Sequence, residues 1–255
     1  MRVGRRSLVV LGLLAALSAQ AGTRCIHVFV AMADNKAQGI VPVPPKLGNG
    51  DDPANNLYWG ALYGVKTHFR KSAAWELLST AADPAAGVLE RCVFRHRAKG
   101  ALLVADAYRG ADIRRAVTDF LTAVGGGSQG KLALQGGEAR TGGAADLAAY
   151  VGHNGLMDFA LAEDAVQSKG AGRDAIILAC KSKPYFAPWL ERLKSRGVLL
   201  TTGLMAPEAY TLHAALEGWL ADASPEQVRE KAAAAYHAYQ KCGLAAARRL
   251  FHAER

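Results

Sequence analysis

LAAYVGHNGLMDFALAEDAVQSKGAGRDAIILACKSKPYF, residues 147–186, is the stretch on which the fold turns. Two apolar runs, Leu147–Val151 and Ala175–Ala179, are each stopped by a reactive side chain. The first ends in Gly152-His153-Asn154-Gly155, the second in Cys180. Apolar runs of this length, bounded by glycine and polar residues, suit buried strands of a parallel sheet. In open α/β sheets, ligands and chemistry gather at the carboxyl ends of such strands. Two parallel neighbours would bring His153 and Cys180 out side by side. A thiol and an imidazole within reach are the minimal parts of nucleophilic acyl transfer.

Upstream, Ile26–Ala33 predicts a first strand. Residues 34–56 carry Pro42, Pro44, Pro45, Pro53, Gly48 and Gly50 and predict a long functional loop or lid. Asp51-Asp52-Pro53 then opens a predicted helix that runs to about Leu78 or breaks near Lys71, with Asp52 as N-cap and Pro53 in the first turn. Val88–Arg95 and Ala101–Ala105 predict two strands turned at Lys99-Gly100. Asp112–Val124 predicts an amphipathic helix with Ile113, Val117, Phe120, Leu121 and Val124 on one face. The glycine-rich residues Gly125–Gly143 lack the spacing of a phosphate cradle and predict a flexible surface loop, over the cleft if anywhere.

Beyond Cys180 come a predicted helix Pro184–Arg196, a buried strand Val198–Thr202, a turn Gly203–Pro207 and a helix Glu208–Leu220. Ser224 caps a predicted helix Pro225–Cys242, and Leu244–His252 predicts a short last one. Strands alternating with helices predict a three-layer α/β sandwich with a largely parallel central sheet.

The bulk numbers narrow the classes. The chain has 255 residues, 51% hydrophobic and 21% charged, enough for a substantial core. The net charge of +9 comes from scattered Lys and Arg. With 7% aromatics and no interleaved basic–aromatic stripe, no nucleic-acid partner is expected. Residues 1–21 read as a secretory signal peptide: Arg2, Arg5 and Arg6, an apolar core Leu8–Leu17, and the cleavage signal Ala19-Gln20-Ala21. The expected mature chain is one domain, residues 22–255, periplasmic or secreted and without stable membrane insertion. Four cysteines in an oxidising compartment allow two disulfides; a catalytic Cys180 would leave Cys25, Cys92 and Cys242 with at most one.

The residues from Tyr150 to Cys180 resemble the clan CD cysteine peptidases, which include caspases, legumains, gingipains, separases and CHAT-domain proteases. The shared pattern is an apolar strand, His-Gly, a spacer, a second apolar strand, and a Cys often preceded by Ala. Val151-Gly152-His153-Asn154-Gly155 and Ile176-Ile177-Leu178-Ala179-Cys180-Lys181-Ser182 fill those places, and Gly197–Trp219 resembles the following strand, cleft-wall loop and helix. The resemblance implies a caspase-like domain, an endopeptidase activity on peptide or protein substrates, and no cofactor. It implies Cys180 as nucleophile and His153 as general acid–base. The N–H groups of Gly155 (or Asn154) and Cys180 would hold the oxyanion. Two departures stand out. Asn154 intervenes between His153 and Gly155, and the spacer to Cys180 is short for the group. Acidic residues on the neighbouring loops, Asp34, Asp51, Asp52, Asp158 and Glu208, are candidates for binding a Lys or Arg side chain of the substrate, with Met205 in the cleft wall.

Three other readings compete. An inactive binding domain of the same fold would use the cleft without covalent chemistry. A thiol oxidoreductase lacks its C-x-x-C, and a metal held by His153, Asp158 and Cys180 matches no short ligand spacing. The remaining histidines read as structural: His27 as core or strand edge, His96 as solvated between Arg95 and Arg97, and His68, His213, His237 and His252 as helix residues.

Overall fold

The computed structural model describes residues 23–135, 137–170 and 172–254; the expected signal peptide, residues 1–21, lies outside them. Five strands run parallel: β1 (Cys25–Ala31), β4 (Leu102–Tyr108), β7 (Leu147–Gly152), β8 (Asp174–Leu178) and β9 (Arg196–Thr201). They lie in the order β9-β8-β7-β1-β4. The hairpin β2 (Trp75–Ala85) and β3 (Val88–His96) extends the sheet antiparallel beyond β4, and β10 (Phe251–His252) closes the other edge on β9. The result is a mixed eight-stranded sheet, parallel in its middle.

Alternation along each strand splits the core. Ile26, Val28 and Val30 of β1 join Ile176 and Leu178 of β8 against α1 (Val65–Lys71), α4 (Ala209–Leu220) and α5 (Pro225–Gln240). Phe29 and Ala31 join Tyr150 and Ile177 on the opposite face, under α2 (Ile113–Val124) and α3 (Ser182–Arg192). Phe120 of α2, Tyr150 of β7 and Phe186 of α3 meet there, with ring centroids 5.6–6.2 Å apart. Each such aromatic removes enough apolar surface from water to contribute roughly 2–3 kcal/mol. Helices on both faces make an arrangement compatible with the expected three layers. A short helix α6 (Leu244–Leu250) leads into β10.

Three expectations are corrected. The helix expected from Asp52 to Leu78 is replaced by turns over residues 51–64, the short helix α1 and the long edge strand β2. Trp75 has the helix-compatible neighbours Glu76, Leu77 and Leu78, but its indole is buried against Phe69 and His96, at 5.4 and 4.9 Å between ring centroids. Pairing with the open side of β3, in the register Trp75 with His96, satisfies a row of backbone groups. That outweighs helix propensities, which differ by only about 0.7 kcal/mol per residue. Pro84 is tolerated because β2 is at the sheet edge.

The glycine-rich segment is not a loop over the cleft. It forms a hairpin, β5 (Gly130–Leu134) and β6 (Gly137–Thr141), lying over the amino-terminal half of β1. Gly142 donates its N–H to His27 Nδ1 at 3.0 Å, and the Arg140 N–H reaches Cys25 Sγ at 3.3 Å. A Cβ on Gly142 would stand 1.9 Å from the Ser128 carbonyl oxygen, and its φ is +55°. Glycine there serves close packing.

His96, expected to be solvated, is buried. Its Nε2 hydrogen-bonds Glu217 at 3.0 Å, and the Lys99 N–H donates to its Nδ1 at 3.1 Å.

Candidate functional site

The ladder between β7 and β8 ends on the pair Val151 and Leu178. His153 and Cys180 each lie two residues past that pair, so they leave the sheet at one level on adjoining strands. The switch in strand order falls beside them, between β1 and β7, where the chain's connections diverge to opposite sides.

Cys180 occupies a sharp strand-to-helix turn. Lys181, the N-cap of α3, is left-handed with φ +49°, and its N–H donates to the Gly203 carbonyl at 2.8 Å. Ser182 and Thr201 are buried and exchange hydrogen bonds of 2.8–3.1 Å, so the turn is clamped to β9. The sulfur contacts the backbone of Met205: the Met205 N–H donates to Sγ at 3.3 Å, and the thiol reaches the Met205 carbonyl at 3.4 Å. Met205 thus forms the wall behind the thiol.

His153 is 7% exposed. Its carbonyl accepts from Tyr150 OH at 2.7 Å, and its Nε2 is 2.8 Å from Asp158 Oδ2. Among the described residues no hydrogen bond joins the imidazole to the thiol. What joins the two turns is Asn154, which is fully buried. Its Nδ2 donates to the Cys180 carbonyl at 2.8 Å, and its Oδ1 accepts the Leu156 N–H at 3.1 Å, capping the one-turn helix that starts at Gly155.

Two tyrosines that the sequence does not single out stand near the thiol. Burial, and next Cys180 and Glu208, push the Tyr58 hydroxyl well above its ordinary value. Burial chiefly, with Cys180, Cys242 and Glu208 adding to it, also raises Tyr236, whose hydroxyl accepts the Ala206 N–H at 3.1 Å. Both stay neutral phenols.

The acidic candidates divide. Asp158 is in the site, on His153. Glu208 is beside it, its Oε2 accepting from Tyr210 OH at 2.8 Å and Gln240 Nε2 at 3.2 Å, with no cationic partner among the described residues. Asp34 is buried and its Oδ1 accepts the N–H groups of Lys36 and Ala37, at 2.8 and 3.1 Å. Asp52 caps no helix; it accepts from Ala54 N–H and Asn55 Nδ2 within its own turn. Asp51 pairs with Arg109 at 3.0 Å. Among the described residues, none of these last three bonds the thiol; Asp34 and Asp52 bond within the long loop and Asp51 to Arg109.

All four cysteines are free thiols. Among the described residues, no group of three or more His, Cys, Asp or Glu is arranged to hold a metal ion. No helix of the described residues is long and apolar enough to cross a membrane. Comparison with protein-family models, curated proteins and solved structures gives no match for this chain.

Proposed function

We propose that this protein is an exported cysteine-dependent hydrolase of caspase-like layout that cleaves peptide bonds, with Cys180 as nucleophile and His153 as its proton carrier. The observation that carries this is the common level of the two residues on adjoining parallel strands, next to the switch in strand order between β1 and β7. The elbow at Cys180 adds to it, since a nucleophile on a tight strand-to-helix turn stands clear of the sheet.

A polypeptide substrate is supported by where apolar surface is left open. Val41, Leu62, Tyr63, Met157, Tyr185, Leu204 and Tyr239 are the large apolar side chains that stand exposed among the described residues. Six belong to segments that follow carboxyl ends of the parallel strands. The seventh, Tyr239, stacks at 4.1 Å on Tyr210 in the first turn of α4. The segments of those six leave the sheet at the same ends of its parallel strands as His153 and Cys180 do, and would offer apolar contacts to a bound chain. Glu208 is the acidic side chain best placed to receive a basic residue of the substrate.

In the first step the sulfur bonds to the peptide carbonyl carbon, and the thiol proton passes through the His153 ring to the leaving amine as the C–N bond breaks. Water then adds to the thioester, gives a proton back through the ring, and releases the acid and the thiol. Backbone N–H groups of Gly155 and Cys180 would stabilise the tetrahedral oxyanion.

The second reading is an inactive binding domain, favoured by the absence of a direct bond between the two side chains. A peptidyl probe that acylates thiols separates the readings. Cys180→Ala is expected to abolish labelling and peptide hydrolysis, and His153→Ala to lower turnover by about 10²–10⁴-fold. Full activity in either variant overturns the assignment. No labelling of the wild type, with partner binding unaffected by Cys180→Ala, supports the binding domain.

A further inference from the structure

The Asp158 carboxylate, expected from the sequence to meet substrate, is bonded to the candidate proton carrier. Its Oδ2 accepts from two directions: His153 Nε2 at 2.8 Å and the Gly39 N–H at 2.9 Å. Its own backbone is held, with the Asp158 N–H donating to the Gly155 carbonyl at 2.9 Å. Gly39 belongs to the long connection after β1, so one carboxylate oxygen ties that connection to the imidazole. No larger residue fits at position 39 without moving the carboxylate, since a Cβ there would stand 2.5 Å from Asp158 Oδ1.

We propose that Asp158 is a positioning residue for His153, held in place by the Gly39 N–H, so that the ring is kept as the Nε2–H tautomer with Nδ1 free for proton transfer. The inference rests on the reading of His153 as the proton carrier. An ionised carboxylate only accepts hydrogen bonds, so the ring nitrogen facing it carries the proton. The other nitrogen, Nδ1, has no partner among the described residues and is the one left to exchange a proton with the thiol, the leaving amine and water. A ring fixed by a second residue, itself fixed by a third, transfers protons without first paying to be oriented.

The test combines a spectroscopic and a kinetic measurement on the full chain. In ¹⁵N NMR of histidine-labelled protein, His153 is expected to show the Nε2–H tautomer signature. Asp158→Ala is expected to mix the tautomers, and Gly39→Ala, which displaces the carboxylate without touching the ring, to do so in part. With a fluorogenic peptide amide as probe, both variants should lower kcat, Asp158→Ala by about 10–100-fold, while KM stays within about threefold. The double variant should be no slower than Asp158→Ala, because both substitutions act through one bond. A His153 ring with its proton on Nδ1, or tautomer and kcat unchanged in Asp158→Ala, overturns the proposal. If the wild type hydrolyses no peptide, the hydrolase reading fails, and the NMR signature still decides the positioning of His153.

Discussion

The Asn154 side chain holds the turn after β7 and the turn after β8 together, donating to the Cys180 carbonyl and capping the helical turn at Gly155. The departure from His-Gly thus has a structural cause: the side-chain amide supplies a bridge that glycine could not. The same scale governs reactivity of the four thiols. Cys25 and Cys92 are buried, and burial pushes the Cys92 thiol up to about 11, whereas Cys180 is half-buried and Cys242 exposed. Native protein is therefore expected to show two fast-reacting thiols with a disulfide reagent and four after denaturation; Cys242→Ser should leave one. Three fast thiols, or a shortfall after denaturation that reduction restores, would contradict the free-thiol arrangement. None of this was readable from spacing alone. Asp158, five residues after His153, was in view as an acid, but only the fold of the intervening turn aims it at the ring.

Among elements, the hairpin β5–β6 and the strand β1 depend on a buried charged array. Asp106 is 1% exposed. Burial alone would raise its carboxyl, but hydrogen bonds from Arg91 at 2.6 and 2.7 Å and from His27 at 3.0 Å outweigh this and hold it below the ordinary range. Because His27 Nδ1 accepts the Gly142 N–H, the ring proton sits on Nε2 and points at Asp106. Asp106→Ala would leave a guanidinium and an imidazole without their acceptor, and a loss of about 3–5 kcal/mol in urea unfolding is expected. A loss under about 1 kcal/mol would mean that the array is solvated. A simpler element check is the cap of α5. Ser224, the expected N-cap, accepts the Gln227 N–H through Oγ, and the Gln227 side chain returns to the Ser224 N–H, a reciprocal box. Ser224→Ala should cost about 1 kcal/mol, read from the denaturation midpoint at constant slope.

For the whole molecule, the contact of α1 with α4 and β3 makes stability respond to pH. His68 Nε2 lies 3.2 Å from His213 Nδ1, and His213 and His96 both face Glu217. Burial first, then the neighbouring His213, lowers His68 to about 4; burial first also lowers His213. An unfolded histidine titrates near 6.5. Below that pH the unfolded chain takes up protons that the folded one refuses, so stability is expected to fall as pH drops from about 6.5 to about 4. With partial exposure discounted, the His68 share is on the order of 1–2 kcal/mol. His68→Gln should flatten that part of the curve; parallel curves for variant and wild type would rule it out.

The buried strands around His153 and Cys180, the amphipathic helix α2 and the cap of α5 were all settled by sequence. They follow from local rules, namely unbroken apolar runs, turn residues and capping side chains. Tertiary structure decided the rest. It made β2 from a helix-compatible stretch because the open edge of β3 needed a partner. It laid the glycine-rich hairpin on β1 because His27 and Cys25 offered it acceptors. It turned Asp158 toward His153 because the Gly39 N–H was there to hold the carboxylate. Each of these choices depends on groups distant in the chain, and only folding brings such groups within hydrogen-bond range.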